Sequence, residues 1–436
     1  MINRNDLRQK YIDAAGKFRL EAENQDKILG WLSLLRFLCF AGGITGTVLL
    51  LLHHSPAYGI IAAFATVILF LFLLKLYSDH AGKKEFATAL STINSNEAAG
   101  LDGDLSAFKP GNEYTDHSHD FSFDVDLFGN DSLFHYLNRT VTGYGRDLFA
   151  GWLAEPYKLS FTLYERQEII SELASKEEWR HRFMASGMNV PLDKDQIGKL
   201  TEWLGEKPLI ESSPLRKVLI YLLPAFATAA LFLLIAGVIH YSLFILVLLA
   251  NLGYVSAGLK TTNRIHNSLS GTYIYLSSMN NLLAVIAEES FSSGYLKSMK
   301  QQVAGERVSA AVAVKKLGKL IQSFDSRLNI LAGFMLNAML LWDYHCLLRL
   351  EKWKGEFRDK FPGWLDTLGN FDAYSSLGNY AFNNQDFVYA KISGEKIFSA
   401  DMLGHPLIDE SRRVRNDFEI DKPGTICIIT GANMAG

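Results

Sequence analysis

The chain has 436 residues, a formal net charge of -3 and only 20% charged residues, and its mean hydropathy is slightly positive at +0.07. This length suggests two to four domains. The charge excludes a general attraction to nucleic acid, so any DNA contact needs a local basic patch. Cys39, Cys346 and Cys427 lie far apart in the sequence, which excludes a zinc-type cysteine spacing and indicates a reducing compartment.

The hydrophobic residues are concentrated in four long apolar segments. These segments are residues 30–52, interrupted only by Arg36, and residues 57–74, 218–239 and 241–259. A helix rises about 1.5 Å per residue, so roughly 20 apolar residues cross a hydrocarbon layer about 30 Å thick. We therefore expect two transmembrane helical hairpins, and the lipid bilayer is the first predicted partner. An alternative is that the four segments form the core of a soluble dimer.

The positions of Lys and Arg predict the orientation of both hairpins. Basic residues precede the first and third segments and follow the second and fourth, whereas neither hairpin turn contains one. Basic flanks stay on the cytoplasmic side. We expect a multi-pass protein of the cell (inner) membrane with the bulk of the chain in the cytoplasm.

Residues 1–28 are polar but contain an apolar stripe with helical spacing. The stripe comprises Leu7, Tyr11, Ala14 or Ala15, Phe18 and Ala22. This period predicts a helix that lies against the membrane or a partner helix. Residues 78–125 then continue as a helix followed by a linker that contains Gly and Pro. Within the linker, D-H-S-H-D at 116–120 offers metal-type side chains, or it is a solvated loop, since no third ligand cluster lies nearby in the sequence.

The segment 126–216 begins with two short helical patterns. Their apolar stripes are Leu133, Leu137 and Val141, then Leu148, Trp152 and Leu153. Pro156 closes the second helix, because proline cannot continue the helical hydrogen bonding. The segment suits packing, and nothing in it indicates catalysis.

The segment 260–345 predicts helices that return from the second hairpin. Their stripes are Ile265, Leu269, Tyr273, Leu276, Met279, Leu283 and Ile286, then Val308, Val312, Leu317, Leu320, Ile321, Phe324 and Leu328. The apolar run 330–342 ends at Asp343 and is too short to cross a bilayer. We expect it to be a buried helix.

From Phe361 onward the pattern changes to α/β. Alternation over 387–392 predicts a strand, and the β-branched run 426–429 predicts a buried strand. The second run leads into two glycines separated by four residues, the opening of a phosphate-binding loop G-x-x-x-x-G-K-[ST], whose backbone N–H groups wrap phosphates. The loop residues are Gly431, Ala432, Asn433, Met434, Ala435 and Gly436.

Several of these segments together carry a family resemblance. I-I-T-G-A-N-M-A-G at 428–436 resembles the nucleotide loop of the MutS family of DNA mismatch-repair ATPases, which reads T-G-x-N-M-x-G-K-S/T. The run S-L-F-H-Y-L-N-R-T-V-T at 132–142, with its continuation to Pro156, is similar to the start of the MutS core. G-H-P-L-I at 404–408 resembles the family's G-R-H-P-hydrophobic segment. The resemblance covers roughly residues 126–215 and 260–436.

This resemblance implies a fold class and a domain order. The fold is mainly α: membrane helical hairpins and a MutS-like helical core with lever helices, followed by the start of an α/β P-loop ATPase domain. The expected order is a cytoplasmic N-terminal helix (1–28), hairpin 1 (29–77), a helix and linker (78–125), the first part of the core (126–216), hairpin 2 in place of the DNA clamp (217–259), returning lever helices (260–345) and the N-terminal part of the ATPase domain (346–436).

The resemblance also implies the chemistry. It places the loop 431–436 against the phosphates of ATP, Arg413 and Val414 against the adenine, and Asn416 nearby. ATP and Mg²⁺ are the expected cofactors of a dimeric ATPase. The loop lysine, the Ser or Thr on Mg²⁺ and the acidic pair lie beyond Gly436 in this family, so we expect no catalytic residue within the chain, no hydrolysis by it, and a continuation that begins Lys-Ser or Lys-Thr.

Two departures from the family concern DNA. Hairpin 2 stands where the DNA clamp would be, and the F-x-E motif of mismatch readers occurs nowhere in the sequence. The leading hypothesis is a membrane-anchored MutS-like ATP-binding protein that binds mismatched or structured DNA in repair. The alternative is a membrane mechanochemical ATPase or scaffold with no DNA role.

Overall fold

The computed structural model describes residues 3–53, 56–156, 162–188, 194–208, 210, 213–305, 307–392, 397–408, 410, 412–422 and 424–428. Within these ranges the protein is mainly helical. The helices are α1 (Arg4–His53), α2 (Pro56–Leu101), α3 (Leu133–Leu137), α4 (Gly143–Ala154), α5 (Leu163–Ser175), α6 (Glu177–Met188), α7 (Lys194–Gly205), α8 (Pro214–Ile235), α9 (Tyr241–Ala257), α10 (Leu259–Leu269), α11 (Thr272–Glu288), α12 (Gly294–Ala304), α13 (Ala310–Asp325), α14 (Ile330–Leu340), α15 (Trp342–Phe357) and α16 (Phe361–Asn383). Strands β1 (Phe398–Leu403) and β2 (Asn416–Ile420) form one antiparallel pair.

Helices α1 and α2 are far longer than the apolar segments they contain. At 50 and 46 residues they extend about 75 and 69 Å, and they pack along each other. Tyr11 and Ala15 of the predicted N-terminal stripe are buried, and the partner helix is α2. Arg8 donates through Nε to both carboxylate oxygens of Asp102, at 2.8 and 2.7 Å. Because α1 runs from Arg4 to His53, the polar N-terminal segment and the first apolar segment are one continuous helix.

Among the described residues, three helices are long and apolar enough to cross a membrane, namely α1, α2 and α8. Up to five spans result if each of two bent pairs, α9 with α10 and α14 with α15, counts as one. The fourth predicted segment thus forms a span only together with α10, since α9 alone has 17 residues. The apolar side chains of these helices are largely exposed, as in Phe64 (68%) and Phe232 (68%). Lipid is the environment in which such a surface is stable.

The helical core is built mainly from α3 to α7, α10 to α13, α15 and α16. The predicted return stripe is confirmed for Ile265, Leu269 and Leu276, which are all nearly inaccessible. It is divided between α10 and α11, because Gly271 adopts a left-handed φ of 80°. An aromatic group in which Trp179 contacts Phe183, Phe291 and Phe371 occupies the centre of the core.

Three expectations about the second half of the chain are wrong. The run after Asn329 is not buried: α14 exposes Ile330 by 88% and Leu331 by 71%. Residues 361–383 are the core helix α16 rather than the start of α/β structure. Residues 387–392 and 426–428 are not strands, and Ile426 is 85% exposed. A strand needs neighbouring strands to satisfy its backbone N–H and C=O groups, and among the described residues β1 and β2 pair only with each other.

The start of α4 is fixed by a fully buried carboxylate on α16. Asp372 accepts hydrogen bonds from the backbone N–H of Val141 (3.0 Å) and from the N–H and hydroxyl of Thr142 (2.8 and 2.6 Å). Thr142 in turn caps α4 by accepting from the N–H of Gly145. Burial raises the pKa of Asp372 to about 6, although its three hydrogen bonds oppose that rise.

This packing gives α4 two glycines with opposite expected responses to alanine. A Cβ at Gly145 would lie 2.4 Å from Oδ2 of Asp372, whereas a Cβ at Gly151 would meet nothing within 4 Å. We expect Gly145→Ala to destabilise the protein by about 1–3 kcal/mol through overpacking. The matched control Gly151→Ala should stabilise it by up to about 1 kcal/mol through helix propensity. Denaturant unfolding in detergent measures both; equal effects of the two variants would contradict this packing.

Candidate functional site

The residues predicted to contact a nucleotide fall into two groups. The loop 431–436 lies outside the described residues, so its geometry is not part of this site. Arg413, Val414 and Asn416 lie within the described residues. Val414 is 75% exposed, and Asn416 begins β2, where it pairs with Leu403. Among these three, only Arg413 lines a cavity.

This Arg413 cavity has a volume of about 260 Å³. Its walls come from the start of α1 (residues 3–7), from residues 382–387 at the end of α16, and from Glu410 and Arg413. Sites that enclose a whole drug-sized ligand usually measure about 300–1,000 Å³. The Arg413 cavity therefore suits one ring system or a small polar group rather than an entire nucleotide.

Arg413 is held in place by backbone carbonyls and an aromatic ring. Its Nε and Nη2 atoms donate to the carbonyl of Ile408 at 3.0 and 2.8 Å, and Nη2 also donates to that of Pro406 at 3.2 Å. The guanidinium lies 5.2 Å from the centroid of the Phe387 ring, within the range of a cation–π contact. Arg413 thus fixes the segment that resembles the family's G-R-H-P stretch, and its guanidinium is committed to those contacts.

The other charged groups at the cavity are also engaged with the protein. Arg4 donates through Nε to the carbonyl of Leu101 at 3.1 Å, which joins the start of α1 to the end of α2. Asp386 pairs with Arg415 at 3.2 Å. Both signs of charge are present, so the cavity is polar without a strong net potential.

Behind the cavity lies a buried polar group that we call the Glu97 cluster, made of Glu97, Arg139, Asn379, Asn383 and Tyr11. Glu97 on α2 pairs with Arg139 at 2.5 Å, and their side chains are 1% and 5% exposed. Asn379 and Asn383 on α16 donate to the other carboxylate oxygen of Glu97 at 2.9 and 3.0 Å. The Tyr11 hydroxyl of α1 donates to Asn383 at 2.7 Å. Asn383 also lines the Arg413 cavity, so the cluster connects the cavity to α1 and α2.

The electrostatics of the Glu97 cluster keep its carboxylate ionised. Burial by itself raises the pKa of Glu97, but the Arg139 guanidinium and the hydrogen bond from Asn379 outweigh it, and the net pKa is below the ordinary value. Arg139 also lies flat against Phe108, 3.5 Å from the ring centroid. The pair is therefore a fully desolvated charge pair whose remaining donors and acceptors are satisfied.

A buried histidine adjoins this cluster on α6. The His181 ring lies 5.9 Å from the Tyr11 ring, and its Nε2 atom has no hydrogen-bond partner among the described residues. Burial and the neighbouring Arg180 guanidinium lower the pKa of His181 to about 4. Arg180 is itself buried and donates to the carbonyl of Ala174 at 2.7 Å. His181 is thus neutral at pH 7.

Sequence reasoning missed both features. Glu97 sits in an alanine-rich helical stretch and Arg139 lies between the stripe residues Leu137 and Val141. Arg139 flanked by core positions was the available signal, because an arginine there needs a buried partner. Which partner it finds depends on how α2 packs on the core.

The D-H-S-H-D run of the linker forms a loop that caps itself. Asp116 accepts from the N–H and hydroxyl of Ser118 at 2.8 and 2.6 Å, and His119 accepts from the N–H of Ser122 at 3.2 Å. Within the described ranges, no group of three or more His, Cys, Asp or Glu side chains is arranged to hold a metal ion.

The fold and site define a mainly helical protein with apolar helices long enough to cross a membrane, whose first two helices run unbroken into a buried polar cluster and a small cavity. No protein-family model, curated protein or solved structure matches the chain.

Proposed function

We propose that this chain is part of a membrane-anchored, MutS-like ATP-binding protein whose nucleotide cycle moves helices connected directly to the membrane. The observation that carries the proposal is the continuity of α1 and α2. Each runs without a break from its apolar segment to the Glu97 cluster, and Asn383 of that cluster lines the Arg413 cavity. A conformational change at the cavity would therefore be transmitted to the bilayer through two continuous helices.

The sequence supports the nucleotide part of the proposal. The segment I-I-T-G-A-N-M-A-G carries the family's loop pattern, and the protein with the complete loop would take ATP and Mg²⁺ as cofactors, with residues 431–436 at the phosphates. Backbone N–H groups there would bind the phosphates. The part of the chain near the adenine would be held by Arg413 through Pro406 and Ile408.

We further propose that the protein is a homodimer of the inner membrane with its bulk in the cytoplasm. The distribution of Lys and Arg around the apolar segments supports this orientation, and the family supports the dimer. Resistance to carbonate and high-salt extraction tests the anchoring. Release into the soluble fraction would favour the soluble dimer core instead.

DNA is the proposed partner, and a membrane mechanochemical ATPase or scaffold without a DNA role is the second candidate. The second is favoured by the resemblance, in which residues 217–259, the segment of α8 and α9, stand where the family's DNA clamp would be. The deciding experiment measures the ATPase rate of the protein with the complete loop, in detergent, with duplex, mismatched and branched DNA across a salt series. A DNA effect that weakens steeply with salt supports the repair-related function. An active ATPase indifferent to DNA supports the mechanochemical form of the second candidate. Absence of ATP binding overturns both ATP-dependent functions and leaves the scaffold.

Arg413 provides a test of the cavity's part in nucleotide binding. Replacing it by Ala removes three charge-assisted hydrogen bonds to the 406–408 segment, so we expect ATP affinity to fall about tenfold, which corresponds to roughly 1.4 kcal/mol. The control is Arg412→Ala, which removes the same charge from the neighbouring exposed position outside the cavity. Fluorescence anisotropy with a labelled ATP analogue measures both; equal losses would indicate a general charge effect.

A further inference from the structure

Helix α14 is apolar around its whole circumference and largely exposed. No Asp, Glu, Lys or Arg occurs between Arg327 and Asp343. Phe334 and Met335, near the middle of α14, are 58% and 60% exposed. A soluble helix normally turns a polar face to water, and α14 has none. Its surroundings must therefore be apolar on several sides.

The position of α14 shows which apolar surface it continues. The side chain of Asn251 on α9 donates to the carbonyl of Ala338 on α14 at 2.7 Å, and this bond is buried. Just after α14, the ring of His345 lies 5.4 Å from that of Tyr221 on α8. Helix α14 therefore packs on the hairpin α8–α9 at its base, the end at which α8 begins and α9 ends.

The length and the ends of α14 fix how far it can reach. Eleven residues extend about 16 Å, roughly half of the ~30 Å hydrocarbon layer. The charged residues on either side of the apolar run meet each other, since Arg327 pairs with Asp343 at 3.1 Å with both side chains nearly buried. Arg327 also donates to Asn263 on α10 at 2.7 Å. The two ends of the apolar run therefore lie next to each other, and the left-handed conformation of Leu341 helps to bring them together.

We propose that α14 is embedded in the acyl chains of a single leaflet, beside the base of hairpin 2, and does not cross the bilayer. The occupant of its exposed surface is lipid, because that surface is continuous with the exposed apolar surface of α8 and α9. The inference rests on the proposed membrane anchoring through this hairpin. It gives the returning lever a direct contact with the membrane, since α14 is joined through an 80° bend to the core helix α15.

Spin labels on single cysteines test the proposal in phosphatidylcholine–phosphatidylglycerol vesicles. The native residues Cys39, Cys346 and Cys427 are first replaced by Ala. Labels are then placed by Leu331→Cys and Phe334→Cys on α14, with Phe226→Cys on α8 as the lipid reference and Gln322→Cys on α13 as the water reference. Collision rates with oxygen and with a soluble nickel chelate are measured, because oxygen concentrates in lipid and the chelate stays in water.

We expect the labels at 331 and 334 to resemble the label at 226, with a several-fold higher oxygen-to-nickel ratio than at 322. A nickel accessibility equal to that at 322, with 226 still in lipid, would place α14 in water and overturn the proposal. Protection from both agents would place it against protein, such as a second copy, and also overturn it. A label at 226 exposed to nickel would refute the membrane anchoring itself.

Discussion

Replacing Arg139 with Met should destabilise the protein by about 3–5 kcal/mol, because it leaves the Glu97 carboxylate buried without its cation. The two side chains are 5% and 1% exposed, so water cannot take the place of the guanidinium. Asn379 and Asn383 would still donate to Glu97, but two neutral amides do not compensate a buried charge. Chemical denaturation in detergent, followed by circular dichroism, measures the loss.

The matched control is the double variant Arg139→Met with Glu97→Gln. It removes both charges and keeps an amide oxygen that can accept from Asn379, so we expect the double variant to lose less stability than Arg139→Met alone. A single variant as stable as the wild type would show that the pair is solvated. A double variant that loses as much stability as Arg139→Met alone would contradict the predicted cost of the unpaired carboxylate.

The contribution of His181 to stability should fall as the pH drops from about 6.5 to about 4. Its pKa in the folded protein is about 4, below the ordinary value near 6.5. On acidification the unfolded chain therefore takes up a proton first, and the folded state loses its advantage across that interval. Above pH 6.5 the histidine is neutral in both states. Its titration therefore makes the free energy of unfolding about 3 kcal/mol higher there than below pH 4. Denaturant unfolding as a function of pH, compared between the wild type and a variant without His181, measures this contribution.

A His181→Phe variant isolates the contribution, because phenylalanine keeps an aromatic ring beside Tyr11 and cannot titrate. The charged groups around His181 are Arg180, Glu97, Glu177 and Lys10, and all remain in the variant. Asp372 titrates with the opposite sign: its raised pKa of about 6 makes it favour the folded state on acidification. Because Asp372 is common to both proteins, the difference between the two pH profiles reports His181. Parallel profiles would contradict the predicted effect.

Local patterns in the sequence were sufficient to predict a helix wherever a periodic apolar stripe or a long apolar run dominated. The apolar segments of α1, α2 and α8 follow from length and period alone. So does the stripe from Ile265 to Ile286, which is buried except at Tyr273. The same reasoning failed at 387–392 and 426–428. Alternation there describes a chain that could be a strand, but a strand also needs a neighbour to hydrogen-bond with. Among the described residues, β1 and β2 satisfy only each other.

The candidate site depended much more on tertiary structure. Arg413 was named for its place relative to the loop, but its hydrogen bonds to Pro406 and Ile408 exist only because the chain folds back on itself. Glu97 and Arg139 are 42 residues apart in sequence, and no local pattern links them. Helix α14 shows the same limit. Its composition predicted a buried helix, but in the structure it packs beside α8 and α9 and leaves most of its apolar side chains exposed.

By itself the sequence determined the apolar segments long enough for a membrane, most of the helices with a periodic apolar stripe, and the place where a phosphate-binding pattern begins, because these are properties of neighbouring residues. The tertiary structure alone decided that α1 and α2 pack along each other, and that Glu97 of α2 meets Arg139 in a buried charge pair. These depend on contacts between distant residues, whose free energy is decided by desolvation and packing rather than by local periodicity.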